Sequence, residues 1–150
     1  MNILNTNGVI SEKDIENFEK KIGRILPKEY RDFLKEYNGG TLESKNVFCF
    51  YDKNREKKDK STLRLLGYLG KKNRSDTDHL SYLYGMFSQR MPKGYIPIGR
   101  DPGGNLILIN LDSGKIYFWD HEFEPEEDEL DTRNIYYIND GFNDFIECLE

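Results

Sequence analysis

The sequence predicts an α+β fold: a mostly antiparallel mixed sheet flanked by an N-terminal helical pair and a C-terminal helix. Three observations carry this. Two amphipathic helical segments follow one another before residue 40, three short β-branched and aromatic runs between 95 and 119 are joined by glycine turns, and an apolar stripe of helical spacing ends the sequence. At 150 residues the chain reads as one domain, 1–150, long enough to bury a core without staples. Its 10 Tyr, 9 Phe and single Trp predict an aromatic core with hydroxyls near its edge.

The first helix is announced by Ser11 with Asp14 three residues on, a capping-box spacing with Asp in place of Glu. Ile10 and Ile15 take the positions of a hydrophobic staple. Ile15, Phe18 and Ile22 supply the buried stripe, and Gly23 ends it. In the second helix Pro27 suits the first helical position, where a missing N–H costs nothing. Leu26, Tyr30, Phe33, Leu34 and Tyr37 form its apolar face. Asn38-Gly39-Gly40 then supplies residues that tolerate a left-handed backbone and stop the helix.

Val47–Tyr51 reads as a strand. The tract from Lys53 to Lys60, with five Lys or Arg against Glu56 and Asp59, reads as a solvated loop. Leu63, Leu65, Leu66 and Leu69 form a short apolar element of undetermined type. Leu80, Leu83, Tyr84 and Phe87 have helical spacing, with Ser75 or Asp76 as the expected cap. Tyr95–Ile98, Asn105–Ile109 and Lys115–Trp119 form an antiparallel meander through turns at Asp101–Gly104 and Asp112–Gly114. Pro97 cannot donate to a ladder, so its strand is expected at an edge or with a bulge. Ile135–Ile138 is a last strand, and Asn139 or Asp140 is expected to cap a closing helix with Phe142, Phe145, Ile146 and Leu149 on one face.

Composition narrows the function. A net charge of −5 argues against a general nucleic-acid binder and permits a basic protein partner. Cys49 and Cys148 are expected as buried, reduced thiols. The segment Met1–Asn7 has no basic n-region or long apolar run, no window approaches a membrane span, and a cytoplasmic location is expected. The absence of alanine beside abundant Lys and Asn is the composition of an AT-rich bacterial genome.

Catalytic patterns are sparse. The two histidines, His79 and His121, have no cysteine at zinc spacing. Asp120-His121-Glu122 carries acid–base groups, but on a strand its side chains alternate faces and do not converge. Gly99–Asn105 is rich in glycine yet joins two strands instead of opening a helix, so it is a turn and not a phosphate loop. A metal-dependent hydrolase using Asp101, Asp112, Asp120 and His121 remains the enzymatic alternative. No cofactor or metal is expected. The remaining chemistry is on the surface: Asp120–Asp131 holds eight carboxylates and no Lys or Arg. As a solvated loop it needs no role; as a docking surface it offers Trp119, Asp120, Glu122, Phe123, Glu124, Glu126, Glu127, Asp128 and Glu129 to a basic protein, with Tyr136 nearby.

Two blocks resemble a known family. Leu26-Pro27, Tyr30-x-x-Phe33-Leu34 and Asn38-Gly39-Gly40 come first. Ile96-Pro97-Ile98-Gly99-Arg100-Asp101, Gly104-Asn105, Leu111-Asp112 and Trp119-Asp120-His121 follow, ahead of the Phe142-x-x-Phe145-Ile146 helix. Their order resembles the Smi1/Knr4 family of the SUKH superfamily from about Ser11 to Leu149, with departures at Leu63–Phe87 and Pro125–Thr132. The resemblance implies an α+β fold and no enzymatic activity. It also implies, for bacterial members, immunity proteins that bind and neutralise a cognate polymorphic toxin, often a nuclease or deaminase. A regulatory or scaffold interaction domain, as in fungal members, is the alternative it leaves open.

Overall fold

A computed structural model describes residues 3–71 and 76–150. Helices α1 (Glu12–Ile22), α2 (Lys28–Glu36), α3 (Leu80–Phe87) and α4 (Phe142–Glu147) surround two β units. Strands β1 (Val47–Asp52) and β2 (Lys57–Thr62) make a hairpin. Strands β3 (Leu65–Leu66), β4 (Tyr95–Arg100), β5 (Leu106–Asn110), β6 (Ile116–Trp119) and β7 (Ile135–Asn139) make a five-stranded sheet in chain order, antiparallel throughout. The mixed character is confined to an isolated parallel bridge between Tyr68 and His79.

Ser11 caps α1 as its spacing predicts. Its hydroxyl accepts the Asp14 N–H at 3.2 Å, and the Asp14 carboxylate accepts the Ser11 N–H at 3.0 Å. Ile15 and Phe18 are buried, Ile22 is half-buried, and Gly23 ends the helix at φ 74°. Glu19 is buried with them. Its carboxylate accepts the Leu26 N–H at 2.7 Å and is forked by Arg31 at 2.9 and 2.9 Å. This ties α1 to α2 through side chains, while the α1 backbone lies nearer α3 and that of α2 nearer α4. The Arg31 hydrogen bonds, aided by the Leu26 N–H, outweigh burial and hold the Glu19 carboxyl below its ordinary value. A lowered folded pKa adds stability at neutral pH that is lost as pH falls through the lowered value. Glu19→Gln should therefore lower stability at pH 7 and give a shallower acid limb below the ordinary 4.5. Urea unfolding across the acid range checks both effects, and an unchanged acid slope would exclude Glu19 as a contributor.

Pro27, at φ −55° and ψ 142°, sits one residue before the first turn of α2. Beyond the helix, Asn38 (φ 52°) and Gly39 (φ 81°) turn left-handed as expected. They also do more than stop a helix. The Asn38 amide donates to Leu69 O at 2.9 Å and accepts the Leu69 N–H at 2.8 Å, while Gly40 exchanges backbone bonds of 3.0 and 2.8 Å with Leu66. The end of α2 is thereby stitched to β3.

Three expectations are corrected. The Lys53–Lys60 tract is not wholly loop: from Lys57 it is β2, an apolar-free strand held by its ladder to β1. Helix α3 is capped by His79, whose Nδ1 accepts the Ser81 N–H at 3.1 Å; Asp76 instead begins a 3-10 turn, and Ser75 lies outside the described residues. Helix α4 is capped neither by Asn139 nor by Asp140. Gly141 is its N-cap, and Glu29 of α2 reaches across to accept the Asn143 N–H at 3.1 Å. The Pro97 expectation is met by a register shift between Pro97 and Gly99, inside a strand paired on both sides.

Both sheet faces carry apolar residues. Ile96, Ile98, Ile107, Ile109, Ile116 and Phe118 join the helices and the hairpin in the main core. Leu106, Leu108, Trp119 and Ile135 form a smaller core with Met91 on the other face. This explains why the strands read as continuous apolar runs. The cysteines are a further correction, because both are exposed free thiols. Cys49 lies between the inward Phe48 and Phe50 on β1, so alternation turns it out; Cys148 is the C-cap residue of α4, at the surface end of that helix.

Candidate functional site

Strand β6 ends at Trp119, and Asp120-His121-Glu122 lies on a 3-10 turn, His121–Phe123, instead of a strand. Asp120 caps that turn by accepting the Glu122 N–H at 3.1 Å. Without strand alternation, Asp120 and Glu122 do converge, and the cation they share is Arg55 from the β1–β2 turn. One Arg55 nitrogen bonds Asp52 at 2.6 Å and Asp120 at 2.9 Å, and the other bonds Glu122. The guanidinium lies 4.6 Å from the Phe123 ring centre. The Tyr136 hydroxyl donates to Asp120 at 2.9 Å and accepts from Asn54 at 2.7 Å, and its burial pushes its pKa well up. For Asp52 burial acts to raise the pKa, but the Arg55 side chain and the N–H groups of Arg55 and Asn54 prevail and lower it.

The groups of the enzymatic alternative are each engaged by neutral or cationic partners, with Asn105 bonded to both Asp101 and His121. Asp101 accepts from Ser61 at 2.8 Å and from the Asn105 N–H at 2.9 Å, Asp112 pairs with Arg24, and His121 Nδ1 meets Asn105 Oδ1 at 2.6 Å. Among the described residues, no group of three or more His, Cys, Asp or Glu side chains is placed to hold a metal ion.

The predicted docking residues divide by depth. Trp119 is 0% exposed and Asp120 4%, so both support the surface from beneath. Trp119 is covered by Arg90, whose guanidinium lies 5.2 Å from the indole and forks Glu124 through two bonds of 2.7 Å. Phe123 and Glu124 are half-buried, and Glu122 is exposed but paired. Glu126, Glu127, Asp128 and Glu129 are exposed, between a buried Pro125 and a half-buried Leu130 that pin the ends of the run.

Beside this run is a groove of about 690 Å³ between the hairpin and the outer edge of the sheet. Tyr95, Tyr117 and Tyr137 cross its sheet wall edge to face, with centroids 5.4 and 6.2 Å apart. Tyr51 stands 55% exposed on the hairpin wall. The Tyr137 hydroxyl donates to Asp140 at 2.7 Å, a bond that with partial burial pushes its pKa up to about 12. Leu130 lines a neighbouring cleft with Tyr95, and Thr132 lines the groove itself, so the acidic run borders the tyrosine row. Sequence reasoning missed this row, because tyrosines inside continuous apolar strands carry no mark of the face they take.

A sequence model of the SMI1 / KNR4 family (SUKH-1) matches residues 9–148. The chain belongs to that family. This SUKH-1 chain is also 34% identical over 157 residues to the SPbeta prophage-derived uncharacterized protein YokK of Bacillus subtilis (strain 168), covering 97% of this chain and 75% of that protein. The matched family span runs from just before α1 through α4 and includes the acidic run and both walls of the groove. No described helix of this SUKH-1 chain is long and apolar enough to cross a membrane.

Proposed function

We propose that this SUKH-1 chain is a non-enzymatic immunity protein of a bacterial cytoplasm that binds a cognate toxin and blocks it. The observation that supports this reading is the run Glu126–Glu129, four solvated carboxylates anchored at both ends and bordered by a row of tyrosines. Such a surface suits a basic partner: carboxylates steer the encounter, and aromatic side chains provide contact area at low entropic cost. The positively charged cleft of a nuclease-like toxin is the partner chemistry that fits. A capped cleft excludes its substrate, so inhibition is stoichiometric. The prophage origin of YokK accords with a role in conflict between genomes.

The test uses any secreted-toxin domain found encoded beside this gene. Reversing Glu126, Glu127, Asp128 and Glu129 to Lys should slow association by about 10- to 100-fold at low salt, with thermal unfolding unchanged. Rescue of growth on co-expression should fail with the same variant. Unchanged association would remove the acidic run from the interface. An intact complex that leaves the toxin active would remove the immunity reading.

A further inference from the structure

Two surfaces of opposite charge adjoin on this chain. The hairpin supplies the positive one. Its register sets Lys58 opposite Tyr51 and Lys60 opposite Cys49, and directly opposed residues share a face. Both lysines therefore stand with the exposed side chains of β1. Lys53 and Lys58 line the tyrosine groove, and no carboxylate does. Lys53 donates to Thr132 O at 2.5 Å and keeps two further donors. Other hairpin cations are paired within the chain, Arg55 with Asp52, Asp120 and Glu122, and Lys57 with Asp59 at 3.7 Å. Lys58 and Lys60 enter no ion pair among the described residues. The negative surface is the exposed run Glu126, Glu127, Asp128 and Glu129, folded into a turn by the Glu129 N–H on Glu126 O at 2.9 Å. Its carboxylates likewise enter no ion pair among the described residues.

The two surfaces meet at residues 130–132, because the run ends on Leu130 and Thr132 already lines the groove. Unmatched charges of both signs, side by side, are complementary to the same surface turned through a half rotation. A two-fold axis through the junction lays the run of one copy along the lysines of the other, and the reverse. We propose that this surface binds a second copy of the chain, with residues 126–129 of each copy set against Lys53, Lys58 and Lys60 of the other. Each copy carries a net charge of −5, so two copies repel except where opposite charges are matched. Tyr51 and Tyr137, 55% and 49% exposed, add aromatic contact area beside the lysines. The dimer covers the carboxylates that the immunity reading assigns to a basic partner, so such a partner must separate the copies as it binds. The pairing itself needs no other protein and does not depend on that reading.

Sedimentation of the full chain in about 0.05 M salt, from about 1 µM to about 1 mM protein, should show a monomer–dimer equilibrium. Raising the salt to about 0.5 M, where charges are screened within about 5 Å, should weaken the dimer at least about tenfold. A double variant, Lys58→Glu with Lys60→Glu, should be monomeric. So should a second variant in which Glu126, Glu127, Asp128 and Glu129 are each changed to Lys. Both should keep the parent's unfolding midpoint. Mixed in equal amounts, the two variants should recover a one-to-one dimer, because each run then faces groove charges of opposite sign. A merely structural role for these residues cannot produce that recovery. A chain that stays monomeric at about 1 mM in low salt overturns the proposal and leaves the groove to a different protein. A dimer indifferent to salt, or variants that fail to recombine, overturns it as well. No toxin enters the measurement, so its failure is distinct from failure of the immunity reading.

Discussion

Phe118→Ala is expected to remove about 3–5 kcal/mol of stability, because the ring holds the hairpin onto the sheet and little around it can collapse into the space. Phe118 is 4% exposed, stacks on Phe50 at 4.4 Å, and contacts Phe48 and Tyr136 at 5.7 and 6.2 Å. The hairpin and the five-stranded sheet share no ladder, so this aromatic cluster holds them together with the Arg55 ion pairs and the side-chain bonds from Asn54 and Ser61. Chemical denaturation measures the loss. A cost under about 1 kcal/mol would mean that the hairpin is held by something other than packing on Phe118.

Gly39→Ala should be comparably severe for a different reason, costing about 2–5 kcal/mol from a left-handed backbone and a backbone collision together. At φ 81° a β-carbon on Gly39 would lie 2.6 Å from Gly67 O and 2.8 Å from Leu66 O. Neither atom can move without breaking the stitch between α2 and β3. Gly23→Ala is the control: φ is 74° but nothing lies within 4 Å, so only the conformational cost of about 1–2 kcal/mol remains. Equal losses for the two variants would show that the close approach at Gly39 is unimportant.

Local chemistry was the legible part of this fold. The Ser11–Asp14 capping box, the left-handed Asn38-Gly39-Gly40, the glycine turns of the meander and the Pro97 irregularity all depend on residues within a few positions of one another. Contacts distant in sequence were not legible. The α4 cap comes from Glu29, 114 residues away, and no pattern near Asn139 reports it. Strand β2 contains no apolar residue, so neither its period nor its composition marks it as a strand. Cys49 was placed inside because its apolar neighbours were visible and its face was not.

The candidate site divides along the same line. Glu126–Glu129 could be found from charge alone. The depth of Trp119 and Asp120 could not, because it follows from the Arg90 and Arg55 side chains that cover and bind them. Asp120 and Glu122 looked divergent only while they were assigned to a strand; the 3-10 turn brings them together on Arg55.

The division into hairpin and sheet has an evolutionary consequence. One wall of the groove, with Lys53 and Lys58, belongs to a two-stranded unit whose ladder is entirely its own. The other wall belongs to a five-stranded platform that owes the hairpin no backbone bond. Substitutions in the hairpin can therefore accumulate without disturbing the platform's register, provided that Asn54, Arg55 and the phenylalanines are kept. The two walls of one groove can thus change in sequence at different rates, the hairpin wall freely and the platform wall only as far as its ladders allow.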